Sequence, residues 1–192
     1  MKFYPGPVSG FTTKANGRAN VLKNEIYVSD AYDPKSGGVQ PPNKQFICIW
    51  DTGARGSVIR KKVADDLNLL PSGRVNVAVV GRGGETNEFE TNSYLINVYL
   101  PNKAAIISLR VAEGTIAGAD ALIGMDVIGM GDFAITNCNG QTWWTFRMPS
   151  IEEIDFVQEI NEHNRKYRHL LVSQDQKRMD RNRAKRERRK NR

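Results

Sequence analysis

Apolar and polar positions alternate with a period of two over much of the first three quarters of the chain. Leu22, Ile26 and Val28 share one side of such a segment, and Val75, Val77 and Val79 share another. Tyr94, Ile96, Val98 and Leu100 form a third, followed after a Pro-Asn turn by Ile107, Leu109 and Val111. A period of two sends successive side chains to opposite faces, so each segment predicts a half-buried strand. The run FICIW at 46–50 is apolar throughout and reads as a buried strand, set off from the first by the loop DPKSGGVQPPNK. Near the end of this region, FAITN and QTWWTF flank Asn139-Gly140, a dipeptide favoured where both central turn residues take positive φ, which predicts a hairpin. Trp143 and Trp144, adjacent on its second strand, must face opposite sides. Short helices are expected over 58–68, where Val58, Ile59, Val63 and Leu67 share a side, and near 120–129.

The pattern changes after Pro149. Ser150 and Glu153 have capping-box spacing, and Arg165, Lys166 and Arg168 fall late, as the helix dipole favours. Ile154, Phe156, Val157, Ile160, Tyr167 and Leu171 project within one broad arc. That arc predicts an amphipathic helix packed on its own domain or on a second copy.

Charge alters this picture only at the C-terminus. The formal net charge is +7 over 192 residues, and residues 173–192 alone hold ten Lys or Arg against three Asp or Glu. Residues 1–172 are therefore neutral, and bulk electrostatic attraction is not the device of the folded domain. The tail lacks the apolar content to bury a core and reads as disordered or as a solvated helix extension. No stretch approaches the roughly 20 apolar residues of a membrane span, and the N-terminus lacks the apolar segment of a signal peptide, so a cytoplasmic protein without membrane association is expected. In that compartment Cys48 and Cys138 are expected as reduced core residues. Two histidines and two scattered cysteines make no metal-ligand spacing, and no metal or organic cofactor is expected. Cys48 as a nucleophile would need His163 or His169 brought in from the C-terminal helix, which the sequence gives no reason to expect.

The chemistry-bearing stretch is FICIWDTGARGSVI at 46–59. An apolar strand leads straight into Asp51, Thr52 and Gly53, placing a carboxylate at the end of a rigid buried element with a glycine to turn the chain and admit a ligand's main chain. About seventy residues on comes ALIGMDVIGMGDF at 121–133, and between the two lies VVGRGGET at 79–86, whose glycines suit a mobile hairpin tip. In this order, over roughly residues 20–148, the three elements resemble the retropepsin-like aspartic proteases, and the wording IWDTGA, YLPNK, LIGMD and GDFAITNCNG resembles the bacterial retroviral-type members most.

That resemblance implies an all-β fold, a retropepsin-like closed β-barrel with short helices, followed by a C-terminal α-helix and a basic tail. It divides the chain into an N-terminal arm (1–19), a protease domain (20–148), an amphipathic helix (149–172) and the tail (173–192). It implies an aspartic endopeptidase acting on a peptide or protein substrate, with Asp51 catalytic. Thr52 would brace the catalytic turns, and Gly53 and Ala54 would line the groove. Gly81, Arg82, Gly83 and Gly84 would form the flap, with Leu122, Ile123 and Gly124 packed beneath the site. One such turn per chain implies a homodimer. The chain departs from the viral members at Arg55 and Gly56, where acidic residues are usual, and at Met125, where an arginine is usual; Arg55 beside Asp126 would restore an ion pair with the charges reversed. Two other readings stay open: a catalytically silent peptide-binding or assembly module on the same fold, and a nucleic-acid-associated protein acting through residues 173–192.

Overall fold

The alternating segments become strands in a computed structural model that describes residues 6–80 and 84–190. These divide after Glu152 into two units. The first carries ten strands: β1 (Ser9–Lys14), β2 (Leu22–Asp30), β3 (Lys44–Trp50), β4 (Val58–Ile59), β5 (Gly73–Val80), β6 (Thr86–Tyr99), β7 (Ala105–Glu113), β8 (Ala121–Ile123), β9 (Asp132–Thr136) and β10 (Trp143–Met148). Two short helices interrupt them, α1 (Lys61–Leu67) and α2 (Met125–Ile128). The second unit is helical, with α3 (Phe156–Lys166) and α4 (Arg168–Lys190).

The strands form a seven-stranded sheet in the order β2-β3-β8-β4-β7-β6-β5 and a separate three-stranded sheet in the order β1-β10-β9. This corrects the expected all-β closed barrel. Over Tyr27–Asp30, β2 also pairs with β6, folding the large sheet back on itself. Yet among the described residues β5 pairs with β6 alone, so the sheet ends at β5, and three strands belong to a sheet of their own. With the helical second unit the chain is a mixed α/β protein. Period-two alternation identifies strands but says nothing of which edges meet, and that choice separates an open sheet from a barrel.

One strand, β1, falls in the stretch expected to be an arm. It pairs antiparallel with β10 and buries Phe11, which joins Trp50, Trp144 and Phe146 in one aromatic cluster with ring centroids 5.1 to 6.3 Å apart. Phe133 of β9 stacks on Trp50 at 5.7 Å. The cluster packs the three-stranded sheet onto the last residue of β3. The hairpin between β9 and β10 turns through Asn139 and Gly140, both at positive φ (54° and 74°), and Trp144 is buried while Trp143 is exposed.

Two details depart from the periodicity. In β7 the core residue is Ile106 and not Ile107, because the pairing with β6 shifts register between Ile96 and Val98. The buried Asn97 side chain accepts from Ser108 N at 2.9 Å there, Ser108 lies at φ 56°, and the bulge inverts the parity of the residues before it. The helix expected over 58–68 begins only at Lys61, since Val58 and Ile59 are taken into the sheet as β4.

In the second unit, Asp155 caps α3 by accepting from Val157 N at 2.9 Å and Gln158 N at 3.4 Å. The expected capping pair at Ser150 and Glu153 is not used. Ser150 instead donates to Asp132 at 2.6 Å. Ile154, Phe156, Val157, Ile160 and Tyr167 are exposed, and the basic residues 173–190 lie within α4. Among the described residues no helix is long and apolar enough to cross a membrane.

Candidate active site

Strand β3 is central in its sheet and turns one face to the core, while Ile47 on the other face is exposed and Ile49 half-buried. Phe46, Cys48 and Trp50 are buried, and β3 lies between β2 on one side and β8 on the other. β8 runs parallel to it in the register Cys48 to Ala121, Ile49 to Leu122 and Trp50 to Ile123. The two strands therefore end side by side, and Asp51 is the first residue beyond that shared end. Its backbone N–H still donates to Ile123 O at 2.9 Å, so the carboxylate's backbone is fixed by the sheet while its side chain is partly exposed.

The turn closes on itself. Gly53 N donates to Asp51 Oδ1 at 2.8 Å, and Ala54 N reaches Asp51 O at 3.3 Å. A side chain at Gly53 would place its Cβ 3.2 Å from that same carboxylate oxygen. Among the described residues the Asp51 carboxylate has no other hydrogen-bond partner, and no second carboxylate is paired with it. Thr52 and Gly53 are exposed and Ala54 is half-buried.

Beneath the turn, the chain leaving β8 is laced to it. Met125 N donates to Ala54 O at 2.8 Å and Asp126 N to Arg55 O at 3.2 Å. Gly124 lies so close that a Cβ there would meet Gly56 C and O at 2.7 Å and Ala54 O at 2.9 Å, so only glycine permits the two loops to touch. Leu122 and Ile123 pair with β3, and Leu122 also pairs with Val58 of β4 on the other side. The loop that starts at Asp51 thus passes over the end of β8 and returns as β4 along its far edge.

Sequence reasoning missed the strongest part of this lacing. Asp126 does not pair with Arg55. Its carboxylate accepts from Ser57 N and Ser57 Oγ, each at 2.8 Å, and from its neighbour Val127 N at 3.0 Å. The buried Ser57 Oγ accepts in turn from Gly124 N at 3.1 Å. An Asp in the first turn of a helix is a familiar signal, but its partner 69 residues earlier is visible only in the fold.

The remaining candidates resolve differently. β5 and β6 form the antiparallel hairpin expected to carry the flap; Gly81, Arg82 and Gly83 lie outside the described residues, and Gly84 sits at φ 84° with open space around it. Cys48 is fully buried, and burial pushes its thiol well up, which removes it as a nucleophile. Cys138, expected in the core, is exposed in the turn between β9 and β10. Among the described residues no three His, Cys, Asp or Glu side chains gather closely enough to hold a metal ion.

No family profile and no curated protein matches the chain. Among solved structures, a retropepsin-like aspartic protease from Rickettsia conorii is similar at 12% identity and a TM-score of 0.44, covering 76% of this chain and 98% of that one. The EIAV protease complexed with the inhibitor HBY-793 is similar at 17% identity and a TM-score of 0.38, covering 57% of this chain and 86% of that one. The likeness is a distant and partial one to the retropepsin-like aspartic protease fold.

Proposed function

We propose that the chain is an aspartic endopeptidase that works as a homodimer, each copy supplying one Asp51. The observation that carries this reading is the delivery of a partly exposed carboxylate, held through its own backbone by the parallel ends of β3 and β8, with one oxygen engaged by the turn and the other without a partner among the described residues. A carboxylate needed only to form a turn gains nothing from a glycine contact that locks a second loop beneath it.

A single such turn is half of a hydrolytic site. Two Asp51 carboxylates brought together on a two-fold axis cannot both ionise freely and share one proton. The ionised member takes a proton from a water, whose oxygen bonds to the peptide carbonyl carbon, while the protonated member donates to the carbonyl oxygen. Collapse of the tetrahedral species breaks the C–N bond, and the amine leaves with a proton from the pair. The exposed Thr52 hydroxyl braces one turn against its symmetry mate, and the Gly53 and Ala54 backbone lines the groove for an extended peptide. The hairpin of β5 and β6, through Gly81, Arg82, Gly83 and Gly84, closes over it and excludes water.

Incubating the purified protein with a peptide library and reading the products by mass spectrometry tests the activity and its side-chain preference together. Cleavage that is absent from the Asp51→Asn protein supports the reading. Binding of peptides without cleavage by the unmodified dimer would replace it with a silent peptide-binding module.

A further inference from the structure

The excess positive charge of the chain is organised along one side of α4. At 3.6 residues per turn, Lys177, Arg178, Arg181, Lys185 and Arg189 fall within an arc of about 120°. Asp180 and Glu187 project to the far side, where Arg183 Nε pairs with Glu187 Oε1 at 3.5 Å and Gln176 donates to Asp180 at 3.3 Å. The acidic residues are thus occupied away from the basic arc, and the five cations share a face with no described carboxylate on it. All five are exposed.

The chemistry of this face selects among anionic partners. From 176 to 189 the one large apolar side chain is Met179, which projects away from the arc, so this stretch of the helix has no apolar floor to lay into lipid. The same stretch has no aromatic residue, so it offers no platform for unstacked bases. What remains is a row of cations, three of them arginines whose guanidinium forks match phosphate oxygens. The row runs for roughly 18 Å at 1.5 Å per residue. Duplex DNA presents about ten phosphates over that length.

We infer that α4 lays this basic face along the sugar–phosphate backbone of a nucleic-acid duplex, without reading its sequence. The binding is independent of Asp51. Neutral side chains on the face remove phosphate contacts, whereas neutral side chains on the opposite side change the net charge equally and leave the contacts in place.

The test uses the full chain and fluorescence anisotropy with labelled DNA and RNA duplexes of about 20 base pairs and unrelated sequence, between about 50 and 200 mM salt. Similar affinities across sequences are expected, with a slope of log K against log salt of about −4.5 for DNA, about 0.9 for each of the five cations. Arg181→Gln with Lys185→Gln should weaken binding about tenfold or more and flatten the slope by about 2, while Arg183→Gln with Arg186→Gln should stay within about threefold. Circular dichroism of both variants monitors helix content. DNA and RNA arms distinguish the two duplex types. Equal losses in the two variants at equal helix content would reduce the face to bulk charge. No binding at the lowest salt, or tighter binding to phosphatidylserine vesicles or to poly-glutamate than to either duplex, would overturn the inference.

Discussion

The Ser57 hydroxyl donates to the Asp126 carboxylate at 2.8 Å, joining the loop that begins at Asp51 to the first turn of α2. The same carboxylate takes the Ser57 backbone N–H, so one side chain holds the far end of the candidate catalytic loop at two points. Asp126→Ala leaves both donors without their acceptor and should cost about 1–3 kcal/mol of stability, while Asp126→Asn, which keeps a carbonyl oxygen facing Ser57, should cost less. Urea denaturation of the two variants measures the difference. Equal stability of Asp126→Ala and the unmodified protein would remove the brace from the account.

Asp51→Asn should fold and assemble as the unmodified protein does, because the backbone bond from residue 51 to Ile123 O does not involve the side chain. Peptide cleavage should fall by several orders of magnitude, since neither half of the pair can then take a proton from water. Rates measured on rigorously purified variant decide it. Retained cleavage would return Asp51 to the role of a turn-forming residue.

Half a site cannot turn over, so activity per chain should drop on dilution through the range where the dimer dissociates. Light scattering at active concentrations should give about twice the chain mass of 21.5 kDa. A monomer that is fully active at every concentration is incompatible with one catalytic carboxylate per chain.

Trp50 stands between the core and the candidate site. Its ring contacts Phe11, Phe133, Trp144 and Phe146, its Nε1 donates to Asn24 at 3.0 Å, and the next residue is Asp51. Trp50→Ala should lose about 3–5 kcal/mol, the range for emptying a large aromatic site, and Trp50→Phe markedly less. Thermal unfolding of both variants is the measurement, and a small loss for the alanine would mean that the cluster collapses around the gap.

Asp132 predicts the acid limb of stability. Burial by itself raises its carboxyl pKa, but the Ser150 hydroxyl, the Ile151 N–H and the Arg147 guanidinium outweigh it and hold the group below the usual carboxylate range. A folded-state value below the unfolded one adds stability above the ordinary carboxylate pKa, and that stability is lost as pH falls through the folded value. The unmodified protein should therefore exceed Asp132→Asn in denaturation midpoint at neutral pH by an amount that shrinks on acidification. A constant difference across the acid range would show that the carboxylate acts through shape and not through its charge.

The alternating segments, the glycine-bearing hairpin at Asn139-Gly140, the opposed Trp143 and Trp144 and the apolar approach to Asp51 were legible in the sequence because each depends on neighbours a few residues away. Side-chain parity and turn preference are local properties, and they survive without knowledge of the rest of the chain. Tertiary structure decided whatever depended on distant partners. It set the strand order that leaves β5 at an edge, drew β1 out of the N-terminal arm to cover Trp50, and took Val58 and Ile59 from the start of a helix into the sheet. It also turned Asp126 from Arg55 to Ser57, since a half-buried carboxylate held by two donors of one fixed residue gains more than one reaching an exposed guanidinium. Along α4 the count of charges was plain from composition, but the gathering of five cations on a face apart from Asp180 and Glu187 required the helix, because only its 100° step brings residues three and four apart onto one face.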